Sequence, residues 1–282
     1  MTEVLRTVEA LREWRRRTGT VGLVPTMGAL HAGHASLIER ARQENERVVA
    51  SIFVNPTQFG PGEDYLGYPR DEERDVALLS SLGTHAAFIP GVEELYPPGD
   101  ATRVVPGPVG APLEGARRPG HFTGVATVVT KLFLLVGPDR AYFGQKDFQQ
   151  LRVLQTVARD LRSPVGVVAC ATVREPDGLA MSSRNAYLTA EERRSALALS
   201  RGLFAAASAH EGGERDATRL RAVVSGIAKD AGALDYVSVA DPLTLQELEG
   251  AADRAVISLA CQVGKARLID NVLVGMTLAE LG

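Results

Sequence analysis

Two histidines and two glycines stand where an apolar run meets a predicted helix. The run is residues 21–24, and it is followed by Gly28, His31, Gly33 and His34. Glycine lets a backbone approach a ligand closely, a helix N-terminus offers unpaired N–H groups, and imidazole adds further donors. This spacing indicates a site for the phosphates of a nucleotide. One alternative stays open, in which the two histidines cap and brace the helix.

Two amides follow the second apolar run. Asn55 and Gln58 lie in the segment 53–60, where the predicted strand ends. Amide groups both donate and accept hydrogen bonds, so they suit an uncharged ligand that carries hydroxyl groups. Ligands of open α/β sheets bind at the carboxyl ends of the strands. The segment therefore predicts part of a binding site, with an ordinary Asn-Pro turn as the alternative.

Cations and hydroxyls stand at two later junctions. Lys146, one of four lysines in the chain, lies two residues after Gly144 at a predicted strand-to-helix junction. A flexible ammonium is a common phosphate ligand. The residues 182–184, two serines and an arginine, form an oxyanion-binding cluster at a predicted domain junction. The alternatives are a helix cap for the neighbouring Asp147 and a plain surface loop for 182–184.

Several classes of function are disfavoured. No P-loop motif occurs, and no GxGxxG motif follows the first strand. The remaining histidines are scattered, so His31 and His34 lack companion ligands for zinc. The net charge of −3 gives no electrostatic case for nucleic acid or an anionic membrane. No apolar stretch approaches about 18 residues, and we expect a cytoplasmic protein.

The elements that must position these residues follow from hydrophobic patterning. Through residue 170 apolar runs alternate with helical patterns, which predicts βαβ units and a parallel sheet. The predicted strands are 21–24, 48–54, 86–89, 141–143 and 165–170. The predicted helices are 34–44, 70–82, 124–136 and 147–161. The Pro- and Gly-rich interval 90–120 is expected to be irregular and to help cover a site.

The pattern changes after residue 178. An alanine-rich helix, 189–210, carries Thr189 as N-cap with Glu192 three residues later, and a helix over 217–231 follows. Three β-rich runs complete the chain, at 234–239, 255–261 and 266–274. The fold class is therefore α/β, a parallel-sheet domain of residues 1–173 followed by a smaller α+β domain of residues 174–282.

Five segments together resemble the pantothenate synthetase, or pantoate–β-alanine ligase, family. The HxGH motif alone is shared with many nucleotidyltransferases and class I aminoacyl-tRNA synthetases, but the five segments in this order are specific. The likeness covers essentially the whole chain. The segments are residues 25–34, 53–59, 68–70, 144–147 and 177–185.

The resemblance implies a fold and a reaction. It implies a Rossmann-like N-terminal domain, a C-terminal lid domain that closes over ATP, a homodimer and Mg²⁺. It also implies two steps: pantoate attacks the α-phosphorus of ATP to give pantoyl adenylate and pyrophosphate, and the amine of β-alanine then displaces AMP. ATP is thus a substrate, and the product is pantothenate, a coenzyme A precursor.

The resemblance also assigns residues to ATP. His34 and His31 are expected to act as electrostatic donors to the reacting phosphates, with Lys146 and Arg184 as further catalytic cations. Asp147 is expected at the ribose, and the backbone of Val173 at the adenine. The full ATP set is Met27, Gly28, Ala29, Leu30, His31, Ala32, Gly33, His34, Gly144, Gln145, Lys146, Asp147, Val173, Met181, Ser182, Ser183 and Arg184.

Fewer residues are assigned to the other substrates and the metal. Gln58 and Gln150 match positions that hold pantoate, and Gln58 also lies near the β-alanine position. The resemblance places Asn55, Tyr68 and Arg118 around the same substrate. Asp75 matches a magnesium-linked acidic position, and a solvated helix start is its alternative.

Two competing functions remain at this point. One is a nucleotidyltransferase of the same fold that adenylylates a phosphate, which needs further cations beside Gln58 and Gln150. The other is a nucleotide-binding regulatory protein with an inactive site. The joint presence of His31, His34 and Lys146 with the cluster 182–184 argues against the regulatory protein.

Overall fold

The computed structural model describes residues 2–61, 63 and 65–281. Its contacts divide the chain into two compact units. The first holds the chain up to Phe143 together with Gln150–Cys170, and the second holds Gly144–Gln149 together with the chain from Ala171 onwards. This division differs from the single predicted boundary at 173/174, chiefly because Gly144–Gln149 groups with the C-terminal part.

A six-stranded parallel sheet, as the α/β prediction requires, forms the centre of the first unit. Its spatial order is β1-β4-β3-β2-β5-β6, so the chain reverses its direction of travel across the sheet between β2 and β5. Ligands of such sheets bind at this switch point. The strands are β1 (Glu3–Leu5), β2 (Val21–Thr26), β3 (Arg47–Ile52), β4 (Ala86–Phe88), β5 (Arg140–Gly144) and β6 (Gly166–Cys170).

The predicted helices of this part are present, with shifted ends. α6 begins three residues earlier than predicted, at His121, because Gly120 adopts φ +86° and starts the helix there. The interval 90–120 contains two short α-helices and a 3₁₀ turn, Gly107–Gly110, rather than being wholly irregular. The helices are α1 (Val8–Arg16), α2 (Ala32–Glu44), α3 (Glu72–Ser81), α4 (Val92–Leu95), α5 (Glu114–Arg117), α6 (His121–Val136) and α7 (Phe148–Asp160).

The core of the first unit fixes the strands that carry the candidate site. Val24 on β2 and Val48 on β3 pack with Ile38 of α2 and Leu79 of α3, and all four are fully buried. Strands covered on both faces are expected to be apolar throughout, which is the pattern that identified β2 and β3 in the sequence. Burying one such side chain contributes about 1.5–3 kcal/mol.

The second unit contains two long helices and a three-stranded antiparallel sheet of order β7-β8-β9. The predicted capping box at the start of α8 is confirmed, since Thr189 and Glu192 each accept from the other's backbone N–H. Leu199 and Leu203 of α8 are buried with Ile257 of the sheet. The elements are α8 (Ala190–Glu211), α9 (Ala217–Ala228), β7 (Ala233–Ala240), β8 (Ala255–Val263) and β9 (Ala266–Val274).

In the residues that the structure describes, every helix is too short or too polar to cross a bilayer.

Candidate active site

The turn that follows β2 is held in a conformation that most residues avoid. Gly28 and Ala29 have φ values of +88° and +51°. For alanine this left-handed conformation costs about 1–2 kcal/mol. The carboxylate of Asp75 on α3 compensates, because Oδ2 accepts from the N–H of Ala29 and Oδ1 from the N–H of Leu30, each at 2.8 Å. Asp75 therefore fixes the backbone of the predicted ATP segment.

Glycine is required at position 28 for two reasons. Its φ is left-handed, and a Cβ there would lie 3.0 Å from Oδ2 of Asp75 and 3.2 Å from Ile52. Asp75 itself is 1% exposed, so the solvated helix start considered for it is wrong. Burial raises the pKa of Asp75, against the opposing effect of the two backbone N–H groups.

Asp75 has backbone partners in the place of a metal. Nowhere in 2–61, 63 and 65–281 do three or more His, Cys, Asp or Glu side chains group closely enough to hold a metal. Both oxygens of the buried Asp75 face backbone N–H groups, so its predicted metal role does not fit this geometry. Mg²⁺ prefers a few protein carboxylates together with water and substrate phosphates.

His31 and His34 form a reciprocal cap at the start of α2. Nδ1 of His31 accepts from the N–H of Gly33 at 3.1 Å, and Nδ1 of His34 accepts from the N–H of His31 at 3.3 Å. The capping interpretation left open by the sequence is thus confirmed. Because each Nδ1 accepts from a backbone N–H, the ring proton of each histidine is on Nε2. The cap makes both rings neutral donors of known orientation.

Gly33 is needed so that the His31 ring can fold over the first turn of the helix. A Cβ on residue 33 would lie 2.8–2.9 Å from Cε1 and Nδ1 of His31. The two imidazole rings have their centroids 4.2 Å apart. The spacing of the HxGH motif therefore has a steric reason in this fold, apart from any ligand.

Asn55 fixes which end of the Gln58 amide faces away from it. Asn55 Oδ1 accepts from the backbone N–H of Thr57, and its Nδ2 donates to the backbone oxygen of Gly124, so the Asn55 amide has one orientation. The same Nδ2 donates to Oε1 of Gln58 at 3.0 Å. Gln58 Nε2 then faces the sulfur of Met27, a weak acceptor, at 3.1 Å. The second N–H of Gln58 Nε2 is therefore the donor that can face a ligand.

Asn55 has little capacity left for a ligand of its own. It is 1% exposed, and its Oδ1 also accepts from the hydroxyl groups of Thr57 and Tyr96. Tyr96 follows α4, in the interval that the sequence predicted would help cover a site. The geometry favours an indirect role for Asn55, through Gln58, over the direct substrate contact that the resemblance implied.

The first turn of α6 lies against the backbone of Thr57 and Gln58. His121 Nε2 faces Arg118 Nη1, an obligate donor, at 3.1 Å, so Nδ1 carries the proton and donates to the Gln58 carbonyl at 2.9 Å. Burial, helped by the charge of Arg118, lowers the pKa of His121. A Cβ on Gly124 would lie 2.3 Å from the Thr57 carbonyl, so only glycine lets α6 approach this closely.

Arg118 is neutralised by an ion pair. Its Nε and Nη2 donate to the two oxygens of Glu63 at 2.7 Å each, which lowers the pKa of Glu63. Two other predicted substrate residues, Tyr68 and Gln150, also belong to this unit. Tyr68 packs edge-on against Phe59, with ring centroids 6.0 Å apart, and Gln150 lies in the first turn of α7.

In the second unit, the predicted phosphate segment forms a 3₁₀ turn, Gln145–Asp147. The ammonium of Lys146 lies 3.5 Å from the carboxylate of Asp147. Asn271 on β9 donates to the carbonyls of Gln145 and Lys146 at 3.0 Å each, and accepts from the side-chain amide of Gln145. These bonds hold Gln145–Asp147 against the C-terminal sheet.

The loop 171–185 also belongs to the second unit. The Val173 carbonyl accepts from the N–H of Met181, and Arg174 pairs with the buried Asp270. Ser182 caps a 3₁₀ turn, Ser183–Tyr187, through the N–H of the exposed Arg184. Lys146, Ser182 and Arg184 line one pocket inside this unit, so the structure brings these predicted phosphate ligands together.

Sequence reasoning missed His121, Gly124 and Asn271. The predicted start of α6 at residue 124 left His121 outside the helix, although Gly120 is a helix-start signal. Asn271 follows Asp270, and these two polar residues interrupt an otherwise apolar strand over 268–274. A polar pair inside a buried strand indicates that the side chains have specific partners, and that was the available signal.

Comparison with known proteins identifies close relatives. The family model described as pantoate-beta-alanine ligase matches residues 2–273. The pantothenate synthetase of Roseiflexus sp. strain RS-1 is 55% identical over 271 residues, covering 95% of this chain and 98% of that protein. The pantothenate synthetase of Thermotoga neapolitana is 52% identical over 278 residues, covering 96% and 99%.

Solved structures give the same result. The pantothenate synthetase of Thermus thermophilus superposes with a TM-score of 0.92 at 51% identity, covering 96% of this chain and 99% of that chain. A pantoate-beta-alanine ligase from Francisella tularensis, complexed with beta-gamma ATP and beta-alanine, superposes with a TM-score of 0.81 at 34% identity. That match covers 99% of this chain and 100% of the other.

Asp75→Asn should loosen the turn after β2. One of the two backbone N–H groups would then face an NH₂ group, and leaving a buried donor unsatisfied costs about 1–3 kcal/mol. We expect a lower free energy of unfolding, measured by urea denaturation. We also expect faster amide hydrogen exchange in peptides that span residues 27–34. Asp71→Asn is the matched control, because Asp71 caps the same helix from an exposed position. Unchanged exchange at Ala29 and Leu30 in Asp75→Asn would contradict the clamp.

His121 should make stability depend on pH. Because its folded pKa lies below the unfolded value of about 6.5, its contribution is complete above that pH and is lost as the pH falls below it. His121→Asn keeps an N–H donor but cannot titrate, so thermal unfolding between pH 7.5 and 5.5 should vary less in this variant. His85 also has a lowered pKa, and it is common to both proteins. Identical pH profiles would contradict the buried neutral histidine.

Proposed function

The chain belongs to the pantoate–β-alanine ligase family, and from that premise we propose how its residues share the work of the reaction. The enzyme condenses pantoate with β-alanine at the expense of ATP, through pantoyl adenylate, and releases pyrophosphate and AMP. The Francisella relative, complexed with beta-gamma ATP and beta-alanine, supports ATP and β-alanine as substrates here.

His31 and His34 serve the first step. A carboxylate oxygen of pantoate attacks the α-phosphorus of ATP, a new P–O bond forms, and pyrophosphate leaves with the electrons of the broken P–O bond. Negative charge grows on the phosphate oxygens as this happens. Two Nε2–H donors, fixed in orientation before ATP arrives, stabilise that charge without reorganising. The reciprocal cap through Nδ1 is the observation that carries this assignment.

Gln58, with the residues that hold it, Asn55 and His121, is proposed to bind pantoate. These three residues are called the Gln58 cluster. The Nε2 group of Gln58 donates to the oxygens of a hydroxy acid, and the amide holds its polarity because Asn55 occupies Oε1. The nearby cation, Arg118, is paired with Glu63. A phosphate acceptor would need an uncompensated positive charge at this end. The cluster therefore supports a small hydroxy acid over the phosphate-adenylylating alternative. Gln150 is proposed to hold the same substrate from α7.

Lys146 and the residues Ser182–Arg184 serve the phosphates from the second unit. Lys146, Ser182 and Arg184 line one pocket there, and with Ser183 they supply one ammonium, one guanidinium and two hydroxyl groups. These groups suit the anionic phosphate chain of ATP. Gly144, Asp147, Met181 and the backbone of Val173 are proposed to complete the nucleotide site, as the family resemblance implies.

The second step needs less from the protein. The amine of β-alanine attacks the acyl carbon of pantoyl adenylate, a C–N bond forms, and the C–O bond to AMP breaks. AMP leaves as a phosphate anion, which is a good leaving group, and the amine loses a proton. Positioning of the amine near Gln58 supplies most of the advantage in this step.

Three further features belong to the same proposal. Mg²⁺ is proposed to arrive with the phosphates of ATP rather than at a preformed protein site. We also propose that the protein is a homodimer, as the family resemblance implies. The proposed location is the cytoplasm, as expected from the sequence.

The order of the two steps can be tested directly. With ATP, Mg²⁺ and pantoate but no β-alanine, we expect pyrophosphate to form, and addition of β-alanine should release AMP and pantothenate. Quenched single-turnover reactions with labelled ATP would follow both products. Formation of AMP from ATP independently of pantoate would overturn the proposed order of steps.

His34→Ala and His34→Asn separate capping from catalysis. The asparagine oxygen can still accept from the N–H of His31, so the Asn variant should keep its stability, whereas the Ala variant should lose about 1 kcal/mol. Both variants lack the Nε2–H donor, so adenylate formation should slow by about 10²–10³-fold in each. If stability falls while the rate is kept, His34 is a structural residue only.

A further inference from the structure

Two consecutive polar residues lie buried in the last strand. Asp270 and Asn271 of β9 are 4% and 3% exposed, and they interrupt an apolar stretch. Buried polar side chains are retained where they have specific partners. The partners of both residues lie in the two segments of the second unit that carry the phosphate-binding groups.

Asn271 holds the segment that contains Lys146. Its Nδ2 donates to the carbonyls of Gln145 and Lys146, which can only accept, so the orientation of the amide is settled. Its Oδ1 accepts from the Gln145 amide at 3.2 Å. Three bonds from one buried side chain thus fix a 3₁₀ turn of three residues, Gln145–Asp147, which has few backbone bonds of its own.

Asp270 holds the second segment. Its carboxylate accepts from both terminal nitrogens of Arg174, at 2.7 and 3.0 Å, and from the N–H of Asn271 at 2.8 Å. Arg174 in turn donates to the carbonyl of Gly178 and lies over the ring of Phe204. Neighbouring residues of one strand therefore anchor the base of the Lys146 turn and the base of the loop that carries Ser182 and Arg184.

We infer that Asn271 is a positioning residue for ATP, acting through the backbone of Lys146. This inference rests on the proposed contact between Lys146 and the phosphates. A lysine side chain has four rotatable bonds, so its ammonium is placed usefully only if its backbone is fixed. Without Asn271, the carbonyls of Gln145 and Lys146 lose their buried donor, and the turn must rearrange to find another.

Substitution of Asn271 should change the kinetic parameters for ATP and leave those for pantoate nearly unchanged. Asn271→Ala should raise the KM for ATP and lower kcat, with a combined loss in kcat/KM of about 10²-fold, as for other misplacements near the reacting groups. The KM for pantoate should stay within about twofold of wild type, because the side chain of Asn271 bonds to Gln145 and Lys146, which are proposed to serve ATP. Asn271→Asp keeps the shape but offers no donor when ionised, so its defect should be at least as large and should lessen at low pH.

The matched control is Ser238→Ala. Ser238 is a buried polar residue of β7 in the same sheet, and its hydroxyl bonds to Glu247 rather than to the Lys146 turn. It should lower thermal stability without changing the KM for ATP. If Ser238→Ala and Asn271→Ala lose similar stability and similar ATP affinity, Asn271 is only a structural residue and the inference is overturned.

A double-mutant cycle with Lys146→Met tests whether Asn271 affects ATP through Lys146. If Asn271 acts through Lys146, Asn271→Ala should change kcat/KM for ATP little in the Lys146→Met background. An equal effect in both backgrounds overturns the inference. If Lys146→Met leaves ATP kinetics unchanged, the proposed function of Lys146 fails instead. If Lys146→Met is defective while Asn271→Ala behaves as wild type, the inference alone fails.

Discussion

The buried carboxylate of Asp75 is the constraint on which the turn after β2 and the start of α2 depend. It bonds the N–H groups of Ala29 and Leu30, so it stabilises a left-handed turn that would otherwise cost free energy. That turn sets where α2 begins, and the beginning of α2 sets the position of the histidine cap. A carboxylate that serves backbone groups in this way is poorly suited to serve a metal as well.

In the first unit, hydrogen bonds also fix which side-chain atoms donate and which accept. At four places a backbone group that can only donate, or only accept, decides the polarity of a side chain: His31, His34, Asn55 and, through Asn55, Gln58. An enzyme that stabilises growing charge gains most from dipoles that are oriented before the substrate binds. The neutral imidazoles and the Nε2 group of Gln58 are oriented by the fold itself.

Hydrogen bonds between residues far apart in the sequence also explain how the chain divides into two compact units. Gly144–Gln149 follows β5 in sequence, yet its contacts group it with the C-terminal unit, and Asn271 supplies three of its hydrogen bonds. A boundary drawn from composition places the segment with the strand it follows. Lys146 and the Ser182–Arg184 cluster therefore share one compact unit, which the order of elements along the chain does not reveal.

The sequence by itself determined the features that depend on near neighbours. Strand periodicity, the Thr189–Glu192 capping box and the five motif segments are local patterns, so the α/β class, most elements and the family were predictable. The tertiary structure decided what depends on partners far along the chain: the burial of Asp75, the support of Gln58 by His121 and Gly124, and the hold of Asn271 on Lys146. A residue type states which bonds a side chain can make, and only the packed fold states which partner it meets.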